Sequence, residues 1–193
     1  QIIPDLTDEE IASADFGSYT VDQFYDDMGR LTEYKTDPDL AEILITKSLE
    51  TLIWMRKKGV KFQASFGRQA HKIDGKFKFF GGLACETWGG GEGLVELEHK
   101  AAIKEGIQIF YETPVIELLE GNDGIVGVKV RIGNKKVDIH SKAVILASGG
   151  FESNAEMRAR YLGPNWDLAK VRGTRFNTGG GINMALKVGA MPY

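Results

Sequence analysis

The residues best suited to chemistry in this chain are three glycine clusters: Ser148-Gly149-Gly150, Thr178-Gly179-Gly180-Gly181 and Gly89-Gly90-Gly91-Glu92-Gly93. Glycine lets the backbone approach a ligand closely and adopt positive φ. Where such a cluster opens a helix, free N–H groups and the helix dipole favour a phosphate or a carboxylate. A lone cluster is more simply a tight turn or a packing contact. Two clusters of this kind beyond the same run of strands point to a ligand instead. Arg158, Arg160, Lys170, Arg172 and Arg175 lie between them. Guanidinium groups grip carboxylates in bidentate fashion, and Arg175, nearest Thr178, is the best placed to do so. The competing reading of that run is a solvated loop.

Other reactive types are set aside. His71, His99 and His140 have no acid or nucleophile at a suggestive spacing, and they are too scattered for a His-rich metal site. Cys85 is expected to be buried and inert, and Trp54 and Met55 to belong to a helix packing face. Glu9-Glu10 and Asp26-Asp27 read as solvated helix faces. No Gly-x-Gly-x-x-Gly follows a strand with an acidic residue about 20 positions on, the usual seat of a dinucleotide pyrophosphate. Gly89 to Gly93 comes closest but lacks a clear buried strand before it.

The elements that would position these residues change along the chain. Thr20 with Gln23 is a capping-box signal, followed by Phe24, Met28 and Leu31 at helical spacing. Asp37 caps a second helix with Pro38 in its first turn and an apolar stripe of Leu40, Ile43, Leu44, Leu52 and Ile53; Gly59 stops it. His71 to Ile73 and Lys76 to Phe79, joined by Asp74-Gly75, predict a hairpin. A helix over Leu94 to Glu105 follows the Gly89 cluster. Strands are predicted at 107–111, 115–119, 125–131 and 136–140, the last three as an antiparallel meander. Ala143-Val144-Ile145-Leu146-Ala147 is a continuous apolar run, the pattern of a strand buried on both faces. Ser148-Gly149-Gly150 would then lie at its carboxyl end, where ligands of open α/β sheets collect. Ser153 with Glu156 predicts a capped helix ending at Gly163, and a last helix runs from Ile182 to Val188. The fold class is α/β: part of a doubly wound domain, with an antiparallel β-meander and an N-terminal helical segment. The division is a helical segment with a small hairpin over 1–82 and the doubly wound part over 83–193.

Composition bounds the rest. The 193 residues carry a net charge of −3, with 42% hydrophobic and 26% charged, which suits a globular core. A weakly acidic balance offers no field for nucleic acid, and no apolar run nears the roughly 20 residues of a membrane span. A single cysteine fits a reducing compartment and a cytoplasmic location. The chain opens on Gln1 without a Met and closes on Met191-Pro192-Tyr193 straight after a helix, which points to an internal segment of a longer protein.

The residues Ala143 to Asn154, Met157 to Gly163 and Trp166 to Gly179 resemble those of the flavoprotein subunits of fumarate reductase and succinate dehydrogenase and their soluble relatives. Tyr111 to Val115 and Gly89 to Leu94 fit as well, and the subgroup the chain is most similar to is tricarballylate dehydrogenase. The resemblance implies bound FAD and hydride exchange between the flavin and a carbon–carbon bond beside carboxylates. The substrate would be a small polycarboxylate, and electrons would pass to a separate redox partner protein. It implies that the backbone at Val115 meets the adenine end of FAD. Ala147, Ser148, Gly149 and Gly150 would line the loop against the cofactor, with Thr178, Gly179 and Gly181 on the flavin-facing side. Gly180 stands where the family carries an acidic residue, so a side-chain acceptor for the cofactor is missing. No catalytic residue is assigned: the first βαβ unit and the catalytic His and Arg residues of the family would lie outside these 193 residues. This segment alone is expected neither to retain FAD nor to turn over. The rival reading is a non-catalytic α/β module that binds a nucleotide or a protein; a ketosteroid dehydrogenase or an aspartate oxidase are rivals within the enzyme class.

Overall fold

The computed structural model describes residues 3, 6–79 and 81–191. Gln1 and the Pro192-Tyr193 end lie outside the described residues. The chain forms two compact units, Gln1–Gln108 and Ile109–Tyr193.

In the first unit, local side-chain chemistry sets the first three helix starts. Helix α1 (Asp8–Ser13) has a complete capping box, with the Thr7 hydroxyl accepting from Glu10 N and the Glu10 carboxylate from Thr7 N. Strand β1 (Ala14–Asp15) follows. Helix α2 (Val21–Leu31) opens with the predicted Thr20–Gln23 box. Helix α3 (Pro38–Lys57) opens with the Asp37 carboxylate accepting from Asp39 N and Leu40 N. Beyond these lie β2 (Phe62–Ala64), the short α4 (Phe66–Gln69), β3 (Ala70–Ile73), β4 (Lys76–Phe79) and β5 (Cys85–Thr87). Strands β3 and β4 form the predicted hairpin, with positive φ at both turn residues, Asp74 and Gly75 (50° and 82°). Asn and Asp tolerate that region, and glycine takes it freely. Strand β1 adds in parallel to β4, and β2 pairs antiparallel with β5. Helix α5 (Gly90–Lys104) closes the unit, and its end is tied to that of α3 by Lys58–Glu105 at 2.9 Å.

The core of this unit is Ile3, Val60, Phe62, Ala64 and Phe79, with Leu52, Met55, Phe66 and Leu94 packed against it. Phe66 stands edge-on to Phe77 and Phe79, with ring centroids 5.2 and 5.3 Å apart. Such pairs add about 0.5–1.5 kcal/mol beyond burial. Helix α3 faces this core differently from the sequence expectation. Ala41 and Ile45 are its buried residues, whereas Leu40, Ile43, Leu44 and Trp54 are exposed. Apolar residues lie on several faces of α3, so periodicity alone does not choose the inner one.

The second unit holds the meander: β6 (Val115–Gly121), β7 (Gly124–Ile132) and β8 (Lys135–His140), in that order and antiparallel. Leu118 and Val130 are buried in it. Helix α6 (Ala155–Leu162), a 3-10 turn (Trp166–Leu168) and α7 (Gly180–Lys187) follow, and α7 packs against β6.

Two predicted strands are absent, and one cap is misplaced. Residues 107–111 and 143–147 form no strand, with Ile107, Phe110 and Ile145 exposed, the last at 90%. A strand exists only through its ladder, and an apolar, β-branched run does not supply the partner. Among the described residues, no segment pairs with 143–147. The cap of α6 is Asn154, whose Oδ1 accepts from Met157 N at 3.1 Å, in place of Ser153. The Ser153 hydroxyl is occupied instead by a bond to Thr174 O.

Candidate functional site

The two glycine bends of the second unit lie side by side. Gly179 N donates to Gly150 O at 3.0 Å, and Ser153 N donates to Asn177 O at 2.9 Å. Asn154 Nδ2 donates to Thr178 O at 3.0 Å, and Asn177 Nδ2 to Glu152 Oε1 at 2.6 Å. Asn154 thus does two jobs: one end of its amide caps α6 and the other holds the second bend.

The glycines are required where the bends touch. Gly149 and Gly179 have φ of 74° and 79°, a region costly to side-chain-bearing residues. A Cβ at Gly179 would run into Met157 and Phe151, and one at Gly181 into the Ser148 hydroxyl. Gly180 differs: a Cβ there would meet nothing within 4 Å. The close approach of the two bends therefore accounts for Gly149, Gly179 and Gly181, but not for Gly180.

Helix α7 begins at this junction without a cap. Its N-cap is Gly179, which has no side chain, and its first turn carries no acidic residue. Among the described residues, no acceptor engages the amides of Gly180, Gly181 and Ile182, and the dipole adds partial positive charge there. Such a donor set suits an anionic group, a phosphate or a carboxylate.

Electrostatics follow from the same contacts. The Glu152 carboxyl is held below its ordinary value by its own backbone N–H first and by Asn177 second. In the first unit, burial pushes the Cys85 thiol up, consistent with an inert cysteine, although it is only half-buried. His71 and His140 are exposed on strands. Among the described residues, no group of three or more His, Cys, Asp or Glu could hold a metal ion, and no helix is long and apolar enough to cross a membrane.

Of the residues singled out in the sequence, Ser148, Gly149, Gly150, Thr178, Gly179 and Gly181 meet at this junction. Ala147 precedes it on the exposed, irregular segment 143–147. Val115 begins β6, the strand that α7 packs against, and pairs with Val130. The basic run divides. Arg158 is buried, and neither a solvated residue nor a free carboxylate grip. Arg160 pairs with Glu156 on the surface. Arg175 is exposed, with its guanidinium 5.0 Å from the Phe176 ring centroid. The linking residues Glu152, Asn154, Met157 and Asn177 escaped the sequence reading. Asn154, three residues before Met157, carried an N-cap signal that Ser153 obscured. Nothing local marks Asn177.

A family model described as FAD binding domain matches residues 11–193. The chain belongs to the FAD binding domain family. FAD is therefore the cofactor of this family, and the α7 N-terminus beside the two bends is the part of the junction that offers it free main-chain donors. Among curated relatives of this FAD-binding chain is NADH:fumarate oxidoreductase of Klebsiella pneumoniae (strain 342), 26% identical over 86% of this chain and 18% of the relative. A flavocytochrome c3 fumarate reductase, solved in its open conformation, superposes with a TM-score of 0.73 at 26% identity, over 89% of this chain and 30% of that one. A 3-ketosteroid-Δ4-(5α)-dehydrogenase from Rhodococcus jostii RHA1 gives a TM-score of 0.76 over 98% of this chain and 44% of that one. At 19% identity, the last likeness shows the fold alone. The chain thus spans less than a third of its fumarate-reducing relatives.

Proposed function

We propose that this chain is the central part of an FAD-dependent oxidoreductase of the fumarate reductase type, acting on a small polycarboxylate such as tricarballylate, succinate or fumarate. The observation that carries this reading is the junction itself: two glycine bends joined by Gly179 N to Gly150 O, beside a helix N-terminus left uncapped. Bound FAD would supply hydride exchange with a carbon–carbon bond next to a carboxylate. The chain's own residues would hold and orient it. Main-chain groups of Ala147, Ser148, Gly149 and Gly150 line one side, Thr178, Gly179 and Gly181 the other, and Val115 meets the adenine end. The cofactor-binding part would lie within 83–193, where the compact unit Ile109–Tyr193 carries both bends. Electrons would pass to a separate redox protein. The tricarballylate assignment leans on the Trp166 to Gly179 run and on Arg175, whose exposed guanidinium is free to grip a carboxylate.

In this reading the apolar segment 143–147 becomes a sheet strand only in the longer protein, where partner strands flank it. The 193 residues alone would then neither retain FAD nor turn over. Titrating FAD into this segment while recording the visible spectrum tests that; micromolar binding refutes it. In the full-length protein, turnover should appear with di- and tricarboxylates and be absent with uncharged alkenes. Arg175→Ala should raise KM for polycarboxylates at least tenfold with kcat little changed, and unchanged kinetics remove Arg175 from the substrate site.

A further inference from the structure

Among the described residues, Arg158 is the one buried charged side chain, 7% exposed. Burying a guanidinium is costly unless its donors are all engaged. Here four of the five N–H groups are engaged: Nε donates to Trp166 O at 2.8 Å, Nη2 to Asp167 O at 3.0 Å and Ala169 O at 3.1 Å, and Nη1 to Glu152 O. All four acceptors are neutral main-chain carbonyls, not carboxylates. Three of them belong to the 3-10 turn and the residue after it, so the guanidinium also closes the carbonyl end of that turn. The fourth belongs to the residue that follows Gly149, Gly150 and Phe151.

That fourth bond connects Arg158 to the junction. Glu152 accepts from Asn177 Nδ2, and the Asn177 amide lies over Gly149, where a Cβ would be 2.8 Å from Oδ1. Asn177 then leads directly into Thr178 and the second bend. The neighbouring Met157 packs against Gly179. From its buried position, one planar fork therefore reaches, through a single intermediate residue, one of the side-chain bonds that join the two bends. A lysine has a charge but no fork, and its single nitrogen cannot satisfy carbonyls on diverging sides.

We propose that Arg158 is a positioning residue for FAD: it fixes the spacing of the two glycine bends through the Glu152–Asn177 link. The proposal rests on the reading of that junction as the cofactor cradle. Its test is a double-mutant cycle on FAD affinity in the full-length protein, read from flavin fluorescence. Arg158→Lys is expected to raise the FAD Kd at least tenfold, and Asn177→Ala at least fivefold. The double variant is expected to be no weaker than the worse single one, because both changes break one link. A purely structural Arg158 would give multiplying effects, and that result overturns the proposal. So does a wild-type Kd in Arg158→Lys. Should Arg158→Lys fail to fold by circular dichroism, the change at half-buried Asn177, Asn177→Ala, decides alone, and an unchanged Kd in it overturns the proposal. A wild-type protein that does not bind FAD sinks the cradle reading and this proposal together, an outcome distinct from binding that is indifferent to Arg158.

Discussion

The first three helices of the chain and its last one begin in opposite ways. At α1, α2 and α3, a Thr or Asp side chain folds back onto the first-turn amides, and Glu10 and Gln23 complete reciprocal boxes. At α7, the cap is a left-handed glycine, and among the described residues no side chain caps the first-turn amides. The first arrangement serves stability, at roughly 1 kcal/mol per cap. The second forgoes it at a point where two bends are held together by Asn154, Asn177 and Glu152. Helix α5 also starts on a left-handed glycine, but there Gly89 and Gly93 are explained by their own packing, since a Cβ on Gly93 would strike the Trp88 carbonyl. An open helix end therefore marks a site only when other residues converge on it.

The contrast can be broken from either side. The largest effect is expected in the aromatic core: Phe79→Ala should cost about 3–5 kcal/mol, seen as faster amide exchange across 60–79 but not across 148–181. At the junction, Gly179→Ala combines a disfavoured φ with overlap on Met157 and Phe151. It should cost about 2–4 kcal/mol and deprotect the amides of 177–182, leaving the first unit unchanged. Asp37→Ala removes a cap and should cost about 1 kcal/mol, measured as a lower denaturation midpoint. Gly180→Ala meets open space at the start of a helix and should stabilise by up to about 1 kcal/mol; a loss instead would mean that the position is closed off.

The smallest effect is electrostatic. Because the folded protein depresses the Glu152 carboxyl, its contribution is present above the unfolded carboxylate value and fades as pH falls through the lower folded one. The junction should therefore loosen in acid, and Glu152→Gln should flatten that dependence. Chemical shifts of the 150–153 and 177–179 amides across the acid range would check it.

What the sequence determined by itself was local. The Thr20 and Asp37 caps, the Asp74-Gly75 hairpin, the three-stranded meander and the positions of the glycine bends were legible because each depends on residues a few places apart. Membership of the FAD binding domain family was legible for a related reason, since the motifs that carry it are short and contiguous. Tertiary structure decided everything that needed a distant partner. It chose Ala41 and Ile45 over Leu40 and Leu44 as the inner face of α3, left 143–147 without a ladder, and turned Arg158 from a surface charge into a buried clamp. Burial and strand pairing are relations between segments, and no window of sequence contains both members of the pair.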